Sequence, residues 1–335
     1  MTMHQRGDEG LRIGIIGCGD AARRVHLPRL EEAGAQVIRF ASKPLADAEA
    51  AAAQSSSEAM ATDDWRQLVA SPHIDAVDVA TPNHLHAEMA MAALEAGKHV
   101  LVESPMAITV KEADALLKAA ARKGKMLVPA HSVRFIGPYA ALADAARSGK
   151  VGPITRARVE LGHRGPDHLY PAASWYLERS KSGGGALMDL GVPIIDLLRL
   201  AIGAEVVEVT AAVAGERGDV ETRAEARLRF GSGAIAEVVA SWEGPANVVQ
   251  LSGDDASLRL DSTGPPRLIR SDGTEERLRS PEQATPGIES VFVEAVTGGT
   301  PTVNAADGRA AVAVIVAAYE SATSGRPVEV SAPAW

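Results

Sequence analysis

The stretch Gly17-Cys18-Gly19-Asp20-Ala21-Ala22 follows a buried apolar run at residues 11–16 and opens a helical pattern. In such a strand–loop–helix unit, the first glycine permits a tight turn and the second lets a pyrophosphate approach the backbone. The N–H groups at the start of the helix provide the donors for that anion. The stretch therefore predicts a dinucleotide-binding loop. Its expected cofactor contacts are Gly17, Gly19, Asp20, Ala21 and Ala22.

The first 130 residues alternate short apolar runs with helical patterns, which is typical of a parallel sheet built from strand–helix–strand units. Strands are predicted at residues 11–16, 36–41, 74–80, 99–102 and 126–130. Helices are predicted at residues 22–33, 45–54, 84–96 and 109–123. This rhythm predicts a doubly wound, Rossmann-type domain over residues 1–130.

The rhythm changes in the second part of the chain, where many strand-like runs alternate apolar and polar residues. Such alternation favours an antiparallel sheet with one face in water. Strands are predicted at residues 155–161, 206–213, 221–230, 234–242, 247–251 and 257–260. Helices are predicted at residues 136–147, 192–202, 288–297 and 305–323. Residues 131–335 are thus expected to form a second domain, with the last helix packing back on the first.

Composition restricts the class of protein. A length of 335 residues suits about two domains. A formal net charge of −9 argues against a nucleic-acid-binding protein, which needs a basic face. The single cysteine, Cys18, excludes an internal disulfide and fits a reducing compartment. The sequence has neither an apolar signal segment at its start nor a run near the ~20 residues of a membrane span. We therefore expect a soluble cytoplasmic protein.

The end of the second predicted strand bears on the choice of cofactor. A site selective for NAD usually places Asp or Glu there, where it binds the ribose 2′-hydroxyl. This chain has Ser42 and Lys43 at that point. A hydroxyl and a cation would stabilise a 2′-phosphate that a carboxylate would repel. The sequence thus predicts NADP in preference to NAD, with a merely solvated Lys43 as the alternative.

Further motifs resemble the glucose–fructose oxidoreductase/inositol dehydrogenase (Gfo/Idh/MocA) family. They are Thr81-Pro82-Asn83-His84-Leu85-His86, Ala96-Gly97-Lys98-His99-Val100, Glu103-Ser104-Pro105, His131-Ser132-Val133-Arg134-Phe135 and Ser182-Gly183-Gly184-Gly185-Ala186-Leu187-Met188-Asp189. The resemblance covers essentially the whole chain. It implies an N-terminal Rossmann domain, a C-terminal domain with an open, mostly antiparallel sheet, and a nicotinamide cofactor. It also implies homodimers or homotetramers built through that sheet. The expected fold class is α/β plus α+β.

The resemblance also implies cofactor contacts outside the glycine-rich loop. Pro82 and His86 match positions that line the nicotinamide side in the family, although His86 can equally cap or pack locally. The matching motifs contribute the remaining candidates, which are Thr81, Asn83, Glu103, Ser104 and Arg134.

Two departures from the family pattern concern the chemistry. The family's Glu-Lys-Pro lysine, which contacts the reacting oxygen, is Ser104 here, and the histidine of its Asp-x-x-x-His motif is Pro193. Asp189 is retained. Hydride transfer to or from a carbinol needs a proton partner that titrates near the working pH, and neither serine nor proline provides one. The sequence also predicts that Pro193 lies in the first turn of a helix. That leaves Asp189 open to either a catalytic or a structural role.

The segment 163–170 is a source of substitute groups. His168 or Tyr170 is predicted to donate a proton, with Asp167 or Asp189 orienting it, and an ordinary polar loop is the alternative. The candidate catalytic residues are thus Asp189, His168, Tyr170 and Ser104. Because His84 and His86 form only an HxH pair, no metal site is expected.

Three functions follow from these observations. The leading prediction is an NADP-dependent oxidoreductase with an altered active site that transfers hydride to a C=O, C=N or C=C group of a sugar-like or secondary-metabolite substrate. A redox-neutral enzyme that retains its nicotinamide is the first alternative, and a non-catalytic cofactor-binding protein is the second.

Overall fold

The structure is a computed structural model that describes residues 10–169, 173–280 and 287–333. Its first domain contains a parallel sheet in the order β3-β2-β1-β4-β5-β6. The strands are β1 (Arg12–Ile16), β2 (Gln36–Ala41), β3 (Met60–Thr62), β4 (Ala76–Val79), β5 (His99–Val102) and β6 (Leu127–Pro129). This is the Rossmann order, and ligands bind where the order reverses between β1 and β4. The Rossmann prediction is confirmed.

Helices cover both faces of this sheet, so β4 and β5 are buried along their whole length. A π-helical turn, Ala22–His26, leads into α1 (Leu27–Glu32) after β1. The other helices are α2 (Leu45–Ala52), α3 (Trp65–Ala70), α4 (Asn83–Glu95) and α5 (Val110–Lys123). Strand β3 and helix α3 were not predicted, because runs of three and six residues are too short to show a clear periodicity.

The second domain is built on a nine-stranded sheet in the order β14-β13-β12-β11-β7-β10-β9-β8-β15. Its early elements are α6 (Gly137–Arg147), β7 (Ile154–Gly162), α7 (Pro166–Leu169), α8 (Arg179–Ser182), α9 (Ala186–Ile202), β8 (Val206–Ala214), β9 (Arg223–Phe230) and β10 (Ile235–Ser241). Its later elements are β11 (Ala246–Gly253), β12 (Ala256–Asp261), β13 (Gly264–Arg270), β14 (Glu275–Arg277), α10 (Ile288–Val296), α11 (Ala305–Ser324) and β15 (Val328–Glu329). Neighbouring strands are antiparallel except for the pair β7–β10, which confirms a mostly antiparallel sheet.

Helices α6, α9 and α11 pack on one face of this sheet and form its core with it. The last two helices also contact the first domain. Ile288 and Phe292 of α10 belong to the apolar core around β1 and β2. Arg309 of α11 bonds Asp114 of α5 at 2.8 Å. The two domains therefore share packing beyond the chain segment that joins them.

Helix α9 corrects one prediction. It begins at Ala186, so Pro193 lies inside the helix and not in its first turn. Proline removes a single backbone N–H, the one that would bond the carbonyl of Asp189 four residues earlier. The helix starts upstream because a buried carboxylate, described below, binds its first N–H groups. Asp189 consequently lies in the first turn.

Within the part of the chain that the structure describes, no helix has the length and apolar character needed to cross a membrane.

Candidate active site

The glycine-rich loop has the shape that a pyrophosphate requires. Gly17 has φ +90°, and a Cβ there would lie 2.4 Å from the carbonyl oxygen of Ala80, so the position accepts only glycine. This contact joins the loop after β1 to the end of β4, at the point where the strand order reverses. A Cβ on Gly19, by contrast, would meet no described atom within 4 Å. The loop is therefore open to a ligand above Gly19, with the helix starting at its far end.

The end of β2 supports this loop directly. The hydroxyl of Ser42 accepts the backbone N–H of Cys18 at 3.3 Å. Lys43 follows with an exposed side chain. Cys18 itself is buried, and burial raises the pKa of its thiol to about 12. The cysteine thus serves as a small buried residue, whereas Ser42 contacts the loop and Lys43 follows it with an exposed side chain.

A buried histidine, which the sequence analysis did not select, connects the π-helical turn after β1 to the loop after β5. The Nδ1 atom of His26 lies 2.8 Å from Oδ2 of Asp78, and its Nε2 atom lies 2.7 Å from Oε1 of Glu103. Burial by itself lowers the pKa of His26, but the two carboxylates outweigh it and hold the pKa well above the ordinary value. Burial likewise raises the pKa of Glu103, yet the His26 imidazolium keeps it below its usual range. The three groups form a charged network beneath the site.

Glu103 and His86 fix the loop that carries Ser104. The second carboxylate oxygen of Glu103 accepts the N–H of Ser104 at 2.9 Å. The ring nitrogens of His86 lie 2.7 Å from the carbonyl oxygen of Pro105 and 2.6 Å from that of Thr81. His86 therefore bridges the loops after β4 and β5. The hydroxyl of Ser104 is buried and has no hydrogen-bond partner among the described residues.

The two domains meet beside this loop. Asn83, at the start of α4, donates its side-chain amide to the carbonyl of Ser182 at 2.8 Å. A Cβ on Gly183 would lie 2.9 Å from Ile108, which follows the Ser104 loop. The segment that precedes α9 thus packs against the segment that follows Ser104. Asn83, predicted to contact the cofactor, has its amide engaged in this domain contact.

Asp189 lies in the first turn of α9, the helix that follows this junction in the chain, and binds two N–H donors. The Nε2 atom of His163 lies 2.8 Å from Oδ2 of Asp189, and the indole N–H of Trp242 donates to the same oxygen at 2.9 Å. The rings of His163 and Trp242 stack with their centroids 6.3 Å apart. His163 was part of the titratable segment in the sequence, but nothing local distinguished it from His168. Its position immediately after β7 is the signal that could have selected it.

Glu221 holds the start of α9 and hence Asp189. One of its carboxylate oxygens accepts the N–H groups of Gly185 and Leu187, at 3.0 Å and 3.1 Å. The hydroxyl of Tyr319 donates to the same oxygen at 2.7 Å. A carboxylate at a helix N-terminus satisfies donors that the helix cannot pair itself and is favoured by the helix dipole. This buried contact explains why α9 begins at Ala186.

The remaining predicted residues lie in several surroundings. His168 is exposed on the short helix α7, while Tyr170 lies outside the described residues. Asp167 pairs with Arg217 at 2.7 Å. Asp20, within the glycine-rich loop, pairs with Arg24 at 3.2 Å. Pro82 directly precedes α4, at the end of β4 that faces the loop.

Arg134 is held in a buried cluster of charges. Its guanidinium donates to both oxygens of Asp196, at 2.6 Å and 2.5 Å, and to the carbonyl oxygen of Thr302 at 2.8 Å. Asp307 lies 3.2 Å away. These contacts join α9 to the start of α11. They engage the donors of Arg134 within the protein, and they place Asp196 in a structural role.

Comparison with known proteins agrees with this geometry. Residues 11–131 match the family model described as "Oxidoreductase family, NAD-binding Rossmann fold", and residues 139–259 match the GFO/IDH/MocA C-terminal domain. A 1,5-anhydro-D-fructose reductase of Ensifer adhaerens is 29% identical over 95% of this chain and 98% of its own length. A dTDP-3,4-didehydro-2,6-dideoxy-alpha-D-glucose 3-reductase of Streptomyces violaceoruber is 31% identical over 88% of this chain and 87% of its own length.

Solved structures give the same result. A levoglucosan dehydrogenase in complex with NADH and levoglucosan superposes with a TM-score of 0.85 at 25% identity, over 96% of this chain and all of that one. An aldose-aldose oxidoreductase from Caulobacter crescentus complexed with glycerol superposes with a TM-score of 0.84 at 28% identity, over 96% of this chain and 99% of that one. The chain belongs to the Gfo/Idh/MocA family of NAD(P)-dependent oxidoreductases.

The residues present fit a nicotinamide dinucleotide. The open space above Gly19 and the N–H groups of the following helix suit its pyrophosphate. The hydroxyl of Ser104, which has no partner among the residues described, lies in the loop at the end of β5, on the sheet edge where the glycine-rich loop also lies. The donors and the open space are thus at the same edge of the sheet.

Proposed function

We propose that this protein is an NADP-dependent oxidoreductase that transfers hydride to a C=O, C=N or C=C group of a sugar-like or secondary-metabolite substrate, or from the corresponding reduced group in the reverse direction. One observation carries the proposal: the segment that leads to Asp189 packs against the segment that follows Ser104. Polar groups of the second domain therefore lie beside the edge of the first domain where the cofactor loop opens. Such a junction is where enzymes of this architecture place ligands.

The preference for NADP rests on the end of β2. Ser42 is held at the phosphate loop by its bond to Cys18, and the exposed Lys43 adds a positive charge beside it. With no carboxylate to receive a ribose 2′-hydroxyl at this point, a 2′-phosphate is the better partner. Titration of the protein with NADPH and with NADH, followed by nicotinamide fluorescence, tests this preference. Tighter binding of NADH would refute it.

When bound, the nicotinamide supplies or accepts a hydride at its C4 atom. The chain's own residues would bind the cofactor and the substrate. The loop of residues 17–22 would bind the phosphates, and the hydroxyl of Ser104 would bond an oxygen of the substrate or of the carboxamide. Asp189 would contact a substrate hydroxyl from the second domain. The names of the relatives suggest sugars and anhydrosugars as substrates.

Turnover tests the reaction. We expect NADPH to be consumed with 1,5-anhydro-D-fructose, or NADP to be reduced with levoglucosan, as measured at the absorbance band of the reduced nicotinamide. A tightly retained cofactor with substrate conversion but no net absorbance change would favour a redox-neutral reaction. Cofactor binding without conversion of any sugar or C=N or C=C substrate tested would favour a non-catalytic protein.

We also propose that the protein is a homodimer or homotetramer, working in the cytoplasm, with the open face of the nine-stranded sheet as its interface. Glu237 on β10 lies in register between Arg158 of β7 and Arg227 of β9. Ile235 and Val239 share its face, as expected from alternation along the strand. Light scattering should give two or four times the monomer mass, and Val239→Asp should yield monomers. A wild-type monomer would contradict this.

A further inference from the structure

Asp189 has one carboxylate oxygen engaged and one available. Its Oδ2 atom accepts both His163 and Trp242, while no described residue bonds its Oδ1 atom. About 23% of the side chain is exposed. We propose that Oδ1 of Asp189 accepts the proton of the reacting hydroxyl, and that His163 and Trp242 are positioning residues that act through Asp189. This inference rests on the proposed oxidoreductase function.

The hydrogen bonds of His163 indicate that this histidine is not the proton shuttle. Its Nδ1 atom accepts the backbone N–H of Gly165 at 2.9 Å, so this nitrogen carries a lone pair. The proton of the neutral ring is consequently on Nε2, where it is donated to Asp189. Both ring nitrogens are thus engaged in hydrogen bonds within the protein. A proton on Nδ1 would face the N–H group of Gly165, so the geometry favours the Nε2–H tautomer.

The arrangement around Asp189 is rigid on the protein side. Trp242 is 1% exposed, and an indole N–H can only donate, so its bond to the carboxylate has a fixed direction. Glu221 fixes the first turn of α9 by binding the N–H groups of Gly185 and Leu187. The bond from Trp242 and the capped first turn of α9 therefore restrict the position of Oδ2. The side chain's remaining oxygen is left for a ligand.

The proton step can be stated for the oxidation direction. The C–H bond of the carbinol breaks, and its electron pair leaves with the hydride to the nicotinamide dinucleotide. The O–H bond breaks, and its proton passes to Oδ1 of Asp189. The carbinol becomes a carbonyl, and the carboxyl later releases the proton to water. The two N–H donors at Oδ2 keep the carboxylate in place as the acceptor.

Amide substitutions separate positioning from proton transfer. In His163→Gln the amide nitrogen reaches the position of Nε2 and can still donate to Asp189, whereas in His163→Asn it is too short to do so. With levoglucosan and NADP as the probe, we expect His163→Gln to keep kcat within about threefold. His163→Asn should lose about tenfold or more, and Asp189→Asn about 10²–10⁴-fold, the usual contribution of a general base. His73→Gln, at an exposed position remote in sequence, is the matched control.

Two results would overturn the assignment. A loss of kcat in His163→Gln as large as in Asp189→Asn would make His163 the proton shuttle. A similar loss of kcat in His168→Gln would identify His168, on helix α7, as the proton acceptor. A second readout does not depend on turnover. The ¹⁵N NMR shifts of the His163 ring in the cofactor-free protein should show that the neutral ring carries its proton on Nε2. An Nδ1–H tautomer would refute the positioning role.

The NMR result keeps this inference distinct from the proposed function. If the wild-type protein converts no substrate, the proposed function and the proton step fail together. The tautomer of His163 still decides whether it is a fixed donor to Asp189. The variant Trp242→Phe, which removes the other donor and keeps a ring, should lower kcat of an active enzyme with little change in KM.

Discussion

The Nε2 atom of His26 lies 2.7 Å from Oε1 of Glu103, so a buried imidazole in the first helix holds the carboxylate that begins the Ser104 loop. Its other nitrogen lies 2.8 Å from Asp78, at the centre of the sheet. With a carboxylate at each nitrogen, the ring satisfies both only as an imidazolium. The π-helical turn after the glycine-rich loop and the loop that carries Ser104 are thereby connected by one ion-paired residue.

Replacing His26 with Gln should destabilise the protein by about 3–5 kcal/mol, because it leaves the buried carboxylate of Asp78 and the partly buried one of Glu103 without their counter-charge. The folded-state pKa of His26 is raised, so its contribution is complete below the ordinary value of 6.5 and is lost as the pH rises through the folded-state pKa. Urea unfolding as a function of pH measures both effects. The variant should not lose stability at high pH as the wild type does. An identical pH dependence of the free energy of unfolding in the two proteins would contradict the ion pair.

Neutralising Glu289 should have the opposite effect to replacing His26, because it should stabilise the folded protein. Its carboxyl is buried in α10 without a hydrogen-bond partner among the described residues, and burial raises its pKa although the charge of His26 opposes this effect. Above the ordinary value of 4.5 the unfolded chain ionises first, so the wild type loses stability until the folded-state pKa is passed. Glu289→Gln removes this loss. A tenfold difference in proton affinity between the folded and unfolded states is equivalent to about 1.4 kcal/mol.

The Glu289→Gln gain should therefore appear at neutral pH and vanish in acid. Thermal unfolding at several pH values provides the measurement. The exposed Glu88 of α4 supplies a matched control, Glu88→Gln, for which little change is expected. A Glu289→Gln protein that is less stable than the wild type at neutral pH would show that the ionised carboxylate is needed.

Cofactor preference should respond to two substitutions at the end of β2. Lys43→Ala should weaken NADPH binding about tenfold, or about 1.4 kcal/mol, and leave NADH binding nearly unchanged. Ser42→Asp should go further and favour NADH, since a carboxylate repels the 2′-phosphate and accepts the 2′-hydroxyl. Fluorescence titration of both variants with both cofactors checks this. Equal weakening of NADPH and NADH would instead mean a general role for Lys43.

Glu221→Ala should destabilise the second domain by about 3 kcal/mol or more. The change leaves the N–H groups of Gly185 and Leu187 and the hydroxyl of Tyr319 buried without an acceptor, and each such loss costs about 1–3 kcal/mol. Tyr319→Phe removes one donor and keeps the helix cap, so it should cost much less. Denaturant unfolding compares the two. Equal costs would show that the cap of α9 contributes little.

Local patterns were sufficient for much of the fold. The capping box of Thr109 and Glu112 marks the start of α5, and the predicted bounds of β2 and β5 coincide with the observed ones. The predicted start of α9 was wrong, and the reason is physical. Its N-terminal N–H groups are capped by Glu221, 35 residues beyond Ala186, and no pattern within the helix records that contact.

The sequence by itself determined the nucleotide-binding loop, because a tight turn, a close approach to phosphate and a small packing residue are demands on neighbouring positions. It also determined the family, which the comparisons confirm. Only the tertiary structure brought His163 and Trp242 to Asp189, from 26 and 53 positions away. Hydrogen bonds of this kind depend on where strands end in space. The composition of the segment 163–170 therefore drew attention to His168, whereas the fold placed His163 at the carboxylate.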